Sequence, residues 1–363
     1  MTTIILALLA ASVWYVPGRL KKLLGLRTIW PWRIVALLPA AAFPAVLRTG
    51  AYISPNPVLA WLYNLSGLFF IFWACFFLYL LAAHLLTPLL KNVPGRKIAA
   101  TGLILSLAYV GYGFFQAQSF TVTSHEIQVR GLARPVKIAH LPDLHLGAQR
   151  SEKYLNKVIE TVNQYQPDLV FFNGDLVDSD IALRPELFAL FRRLGGQAYF
   201  TTGNHEYYIN TARALELVAG AGLRILRNEM VEVHGLQLIG LEYMRADRST
   251  YDAHMVNDLT IEEELPRIRR DPGRPSILLH HSPVGLRYVA AGGLNLMLAG
   301  HTHGGQLFPG TLLARMRYPL TQGRHEIDGT VFLVSQGAGT FGPWMRVGTS
   351  NEIQFIRLTP PNS

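Results

Sequence analysis

The 363-residue sequence predicts two unlike parts, an apolar helical region over residues 1–119 and an α/β layered domain with mixed sheets over residues 120–363. Three observations predict it. Residues 1–120 carry nine Lys or Arg and no Asp or Glu, the first acid being Glu126. Beyond that point, short apolar runs alternate with segments of helical spacing. His, Asp and Asn side chains also recur where those apolar runs stop.

The net charge of +9 would by itself invite a nucleic-acid partner. Its distribution points elsewhere. After residue 120 the chain holds 24 basic and 24 acidic residues, so the whole positive excess belongs to the apolar third. Basic flanks around apolar runs orient membrane helices, whereas a nucleic-acid footprint belongs on the polar domain. The expected partner is a lipid bilayer, and no nucleic acid is expected.

Four apolar stretches occupy the first third. Residues 3–16 fall short of the ~20 residues that a span needs. Residues 29–47 are long enough but hold Pro31, Arg33, Pro39 and Pro44. Residues 58–86 form the clearest candidate, free of charge and rich in aromatics from Phe69 to Trp73. Residues 98–115 are the fourth. The N-terminus lacks a basic start, so an uncleaved first helix is expected rather than a removed signal.

Loop charges suggest a topology. Arg19, Lys21, Lys22 and Arg27 separate the first two stretches, and Lys91, Arg96 and Lys97 separate the last two. The loop from Arg48 to Pro57 has a single Arg. Positive loops stay on the cytoplasmic side. Four spans then leave the polar domain outside the cytoplasm. The lone Cys75 lies in an apolar stretch, so no disulfide can form within the chain.

In the polar part, residues 120–129 alternate as a half-buried strand, and 136–141 form a second apolar run before Pro142-Asp143-Leu144-His145. Residues 152–165 have helical spacing, and 169–172 read as a strand ending at Asn173-Gly174-Asp175. Residues 183–194 look helical. A strand at 198–201 leads into Gly203-Asn204-His205-Glu206, and a helix follows over 212–221. Residues 230–233 and 236–241 flank His234-Gly235 as a hairpin would. Strands at 277–279 and 296–298 precede His280-His281-Ser282-Pro283 and Gly300-His301-Thr302-His303, and late strands are expected at 331–334 and 353–358. Alternating strands and helices argue a layered α/β domain, and the hairpin argues mixed sheets.

The polar residues after these strands are carboxylates, imidazoles and one amide, with no thiolate. Sites in open α/β sheets form outside the carboxyl ends of strands, so the loops could share one crevice. The donor set suits Mn, Fe, Zn or a mixed pair. It exceeds what one ion needs, and two ions ~3.5–4 Å apart make a clamp for in-line displacement at phosphorus.

Asp143-Leu144-His145, Gly174-Asp175, Gly203-Asn204-His205-Glu206, His281-Ser282-Pro283 and Gly300-His301-Thr302-His303 resemble, in order, the five motifs of calcineurin-like metallophosphoesterases. Gly304-Gly305-Gln306 and Gly337-Ala338-Gly339-Thr340-Phe341-Gly342 resemble the bacterial membrane-associated branch. The resemblance spans roughly residues 120–358. The fold it implies is a four-layer αββα sandwich, here preceded by a transmembrane helical region.

The resemblance also implies roles. Asp143, His145, Asp175 and His303 hold a first divalent metal ion, and Asp175 bridges to a second completed by Asn204, His281 and His301. A shared carboxylate cancels part of the repulsion between two dications. A hydroxide bridging the ions is the implied nucleophile, available near neutral pH because metals lower the pKa of bound water. His205 is implied to face the leaving group rather than a metal, and is the catalytic candidate.

Other assignments stay open. Glu206 either orients His205 or stands in solvent. Adjacent strand residues point to opposite faces, so His280 and His281 cannot both be ligands, and the His-any-Pro pattern selects His281. Pro142 restricts the loop before Asp143. Arg346 is a candidate phosphate contact or a solvated side chain. His125, His140, His234, His254 and His325 fit no motif and read as surface or structural.

The activity these implications favour is a membrane-anchored, dinuclear metal-dependent phosphoesterase, with a lipid-borne phosphate ester favoured by the anchoring. Alternatives are a pyrophosphatase of a nucleotide-linked lipid precursor, which would sit on the cytoplasmic side, and a non-enzymatic membrane sensor of the same fold.

Overall fold

The computed structural model describes residues 2–48, 54, 56–147 and 152–361. The chain divides into two compact units, Met1–Gln116 with Gly342–Met345, and Ala117–Phe341 with Arg346–Ser363.

Among the described residues, the first unit holds four helices, α1 (Thr2–Leu24), α2 (Trp30–Arg48), α3 (Pro57–Leu85) and α4 (Gly95–Gln116). Two of them, α3 and α4, are long and apolar enough to cross a membrane. Among the described residues, α1 and α2 do not combine that length and hydropathy. The α1 helix runs past its apolar stretch, through Pro17, into Arg19, Lys21 and Lys22. The α2 helix carries Arg33 and Arg48 at its ends and three prolines. Most of the loop between α2 and α3 lies outside the described residues.

The start of α3 is set locally: Pro57 sits at its first turn, and the Asn56 side chain accepts hydrogen bonds from the Val58 and Leu59 N–H groups. Such a cap satisfies donors that have no partner within the helix. The indole of Trp73 in α3 donates to Ser12 Oγ of α1 at 2.9 Å, inside a cluster with Val16, Phe76, Phe77 and Leu80.

Among the described residues, the second unit holds two six-stranded sheets. Its strands are β1 (Phe120–Gln128), β2 (Val136–His140), β3 (Leu169–Asn173), β4 (Gln197–Thr201), β5 (Arg224–Ile225), β6 (Glu229–Val233), β7 (Leu236–Gly240), β8 (Ser276–Leu279), β9 (Leu296–Ala299), β10 (Gly323–Ile327), β11 (Thr330–Val334) and β12 (Asn351–Thr359). Its helices are α5 (Glu152–Tyr165), α6 (Pro185–Ala189), α7 (Thr211–Gly220), α8 (Ile261–Glu264), α9 (Leu286–Ala291) and α10 (Gly310–Arg317).

The first sheet runs β1-β12-β2-β3-β4-β5 and the second β10-β11-β9-β8-β7-β6. Both are mixed. In the first, β12 pairs antiparallel to β2 while β2, β3, β4 and β5 run parallel. In the second, β7, β8, β9 and β11 run parallel and the hairpins β6–β7 and β10–β11 close the edges.

Side chains alternate across each sheet. Leu169 and Phe171 of β3 enter one core with Leu236 and Leu238 of β7, Ile277 and Leu279 of β8, and Leu296 and Leu298 of β9. That core joins the two sheets face to face, and each such burial contributes roughly 1.5–3 kcal/mol. Phe172, pointing the other way, meets Phe191 edge-on at 5.2 Å. On the far side of the second sheet, Ile239, Leu278 and Met297 pack with Ile261 of α8 and Val289 of α9.

Residues 183–194, expected as one helix, form α6 followed by a 3₁₀ segment, Leu190–Arg193. Pro185 at the first helical turn delays the start, and the last turn tightens to i→i+3 bonding, a common helix ending.

Candidate metal centre

The site lies where strands of both sheets end. Asp143 and His145 follow β2, Asp175 follows β3, and Asn204 and His205 follow β4, all in the first sheet. His281 follows β8, and His301 and His303 follow β9, in the second. The loops after these strands share one crevice, as expected, and they come from both sheets.

Backbone conformation at the site is unusual. Asp143, His145, Asp175, His301 and His303 all have positive φ, between 49° and 68°. Non-glycine residues seldom adopt this region, and where they do the surroundings must hold them. Here the holding is visible. The loop after β2 runs beside the loop after β3, with hydrogen bonds from Asp143 N to Gly174 O, His145 N to Asp175 O and Leu146 N to Leu176 O, each 2.9–3.0 Å. The Asp143 carboxylate accepts the His301 N–H at 3.0 Å, and Gly300 is forced there: a Cβ would lie 2.2 Å from Asp143 Oδ2.

Asp175 occupies the centre. Its Oδ2 is 3.1 Å from His281 Nε2 and 3.8 Å from both His145 Nε2 and His205 Nε2. Asp143 Oδ1 is 3.3 Å from His303 Nε2 and 3.7 Å from His281 Nε2. His145 Nε2 and His303 Nε2 face each other at 3.0 Å. Asp175, His281 and His301 form a further set whose ligand atoms lie within 4.8 Å of one another. Asn204 belongs to the same wall, since the next residue's N–H donates to Asp175 Oδ1 at 2.9 Å.

Two features fit a divalent ion. Asn204 Oδ1 is buried with no hydrogen-bond partner, a costly arrangement that a cation would relieve. Asp143 and Asp175 are buried carboxylates whose negative charges need a counterion. Burial alone would raise both pKa values, yet neighbouring imidazoles, His303 and His281 at Asp143 and His281 and His205 at Asp175, hold them below the carboxylate range. The His281 imidazole is correspondingly driven up to about 10 by Asp175 and Asp143 against the effect of burial, a positive charge placed where a metal would serve.

The remaining nitrogens are tied back, which orients the rings. His281 Nδ1 lies 2.8 Å from Asn173 O. Asp178 Oδ1 is 3.2 Å from His145 Nδ1. Tyr318 OH is 2.9 Å from His301 Nε2, leaving that ring's Nδ1 for a ligand. His205 has Nδ1 2.6 Å from Asp178 Oδ1 and a side chain 16% exposed, against none for His145 and His281. Burial would lower its pKa, but Asp175 and Asp178 raise it to about 9.

Several residues need correction or addition. Arg346 is fully buried rather than on a phosphate-facing surface. Its guanidinium donates to the carbonyls of His303, Gln336 and Gly339 and lies 2.9 Å from His303 Nδ1. It braces the His303 loop from behind. Glu206 neither orients His205 nor stands in solvent; its buried carboxylate accepts N–H groups of Gly203, Asp175, Leu176 and Val177. His254, which fits no motif, stands edge-on to His301 at 5.5 Å and lies 3.0 Å from Tyr208 OH. Asp178 was missed, although a carboxylate three residues after Asp175 was the available signal. His280 bonds Ser282 O and the Met244 N–H within the core, so its ring faces away from the cluster.

Residues 136–305 match the calcineurin-like phosphoesterase family. A metallophosphoesterase of Helicobacter pylori is 31% identical over 264 residues, 70% of each chain. One of Campylobacter jejuni is 29% identical over 349 residues, 91% of this chain and 89% of that one. A Bos taurus protein named as a transmembrane protein with a metallophosphoesterase domain is 32% identical over 263 residues, 67% of this chain and 58% of that one. By these matches the chain belongs to the calcineurin-like metallophosphoesterases, hydrolases that act on phosphoric ester bonds.

Proposed function

We propose that the protein is a membrane-anchored phosphoesterase whose crevice holds two divalent metal ions and hydrolyses a phosphate ester carried by a lipid. The observation that carries this reading is the position of Asp175, with His281, His145 and His205 all within 3.8 Å of one carboxylate oxygen. In this reading the two sheets and their helices are the four-layer αββα sandwich.

Asp143, His145, Asp175 and His303 would hold one ion, and Asp175, Asn204, His281 and His301 the other, with Mn, Fe, Zn or a mixed pair suited to these donors. Bound ions supply Lewis acidity toward the phosphoryl oxygens and a water of lowered pKa. The protein's own part is positional. Asp178 turns His145 and His205 so that each Nε2 faces inward. His205, the more exposed ring, is placed to donate a proton to the departing oxygen. Arg346 and Glu206 keep the His303 and Asp175 loops in their left-handed conformations.

Helices α3 and α4 support the anchoring, and the basic loops favour an extracytoplasmic catalytic unit. The polar part has no excess of basic charge to attract nucleic acid. The test is metal analysis of the full-length protein, wild type beside Asp175→Asn, with turnover of an aryl phosphodiester. Two bound ions and activity are expected in the wild type, and loss of at least one ion and most of the rate in the variant. Full activity without bound metal would remove the mechanism. A reporter fused after residue 120 reads the side of the membrane.

A further inference from the structure

We infer that the outer face of α10 is a bilayer-docking surface that seats the metal centre at the lipid headgroups. The inference rests on the phosphoesterase reading and adds how a lipid-borne ester reaches the site. Leu312, Leu313 and Met316 are 49%, 60% and 84% exposed, and Phe308 just before the helix is 53% exposed. At about 100° per residue, the three helix residues share one face about 100° wide. Arg315 and Arg317 flank that face on either side, both exposed. Thr311 is buried and Ala314 half-buried on the opposite side. An apolar stripe bordered by cations suits the boundary between acyl chains and anionic headgroups.

Charge selects this occupant. Residues 307–318 contain no Asp or Glu, and among the described residues Arg315 has no carboxylate partner. An anionic bilayer therefore complements the stripe in both its terms. The same chain carries α3 and α4, long and apolar enough to cross a membrane, and β1 starts only a few residues after α4 ends at Gln116.

The helix is also built into the site. Gly305, with φ of 84°, lies so close that a Cβ would be 2.5 Å from Thr311 Cα. Tyr318, which follows the helix, reaches His301 Nε2 at 2.9 Å. Arg317 donates to Tyr251 O, and the Tyr251 ring is itself exposed. The surface that would enter the headgroups is thus continuous with the loop carrying His301 and His303.

The test uses the full chain reconstituted in vesicles containing phosphatidylglycerol. In a Cys75→Ala background, Leu313→Cys and Met316→Cys are each labelled with an environment-sensitive dye. Docking predicts blue-shifted emission and quenching by nitroxide lipids, both weaker in purely zwitterionic vesicles. A label quenched by aqueous iodide and not by lipid overturns the inference. So does a label shielded from both, which marks a protein partner.

The double change Leu313→Asp with Met316→Asp should slow hydrolysis of a long-chain phosphate ester in the vesicle on the order of tenfold. Turnover of a water-soluble aryl phosphodiester should not change. Equal turnover of the vesicle-borne ester by wild type and variant overturns the inference. If the wild type cleaves neither ester while the label is still quenched by lipid, the docking surface stands and the phosphoesterase reading falls.

Discussion

Asp178 grips His205, with Oδ1 2.6 Å from the ring Nδ1, and the same oxygen lies 3.2 Å from His145 Nδ1. One carboxylate oxygen thus lies against the Nδ1 side of both rings, and the Nε2 atom of each is 3.8 Å from Asp175 Oδ2. Partners of this kind orient ligands and raise their basicity.

Asp178→Asn keeps the shape and removes the charge. Metal affinity or turnover of a soluble phosphodiester should fall roughly 10- to 100-fold with the fold intact by circular dichroism. Wild-type kinetics in this variant would show that the contact is incidental.

Glu206 accepts four backbone N–H groups from a buried position. Glu206→Gln turns an amide N–H₂ toward some of those donors. Unfolding of the full-length protein by denaturant should reveal a loss of roughly 3 kcal/mol, since hydrogen bonds to a charged group are the stronger kind. A change within experimental scatter contradicts a holding role.

Arg346 separates two expectations by kinetics. A phosphate contact, once removed, would raise KM with bound metal unchanged. A brace behind His303 would, on Arg346→Met, lower metal content and kcat together, and Arg346→Lys should restore little because one ammonium cannot span three carbonyls. The second outcome is expected, and an effect on KM alone would return Arg346 to the substrate.

His140, a ring outside the proposed ligand set, gives a pH dependence of stability. It is fully buried, lies 2.9 Å from Gln354 Oε1, and burial pushes its pKa down to about 4. The unfolded chain, with a His pKa near ~6.5, takes up the proton first as pH falls. The neutral ring's contribution is therefore complete above pH ~6.5 and is lost as pH drops toward the folded value, by about 1.4 kcal/mol per pH unit in mid-window. His140→Asn should flatten the stability profile between those limits. A profile parallel to wild type would assign the acid sensitivity to other groups.

Much of the fold was legible locally. Residues 152–165 were read as a helix and form α5 with the same bounds, with Leu155, Val158, Ile159 and Val162 buried at helical spacing. The β6–β7 hairpin was legible from two apolar runs around His234-Gly235. Other features were not. Strand β1 pairs parallel with β12, Phe120 against Asn351, and nothing within either segment names the other. The short strand β5 and the helices α8, α9 and α10 lack the length over which periodicity accumulates.

At the site, chain order and local pattern were enough to place each residue type at its strand end. That five of the residues are held in left-handed backbone, and that Arg346, Glu206 and Asp178 work from behind, emerged only with the packed fold. Range explains the division. Periodicity and turn chemistry act over a few residues, whereas the approach of Asp143 to His303, and of Arg346 to both His303 and Gly339, exists only once the sheets have packed.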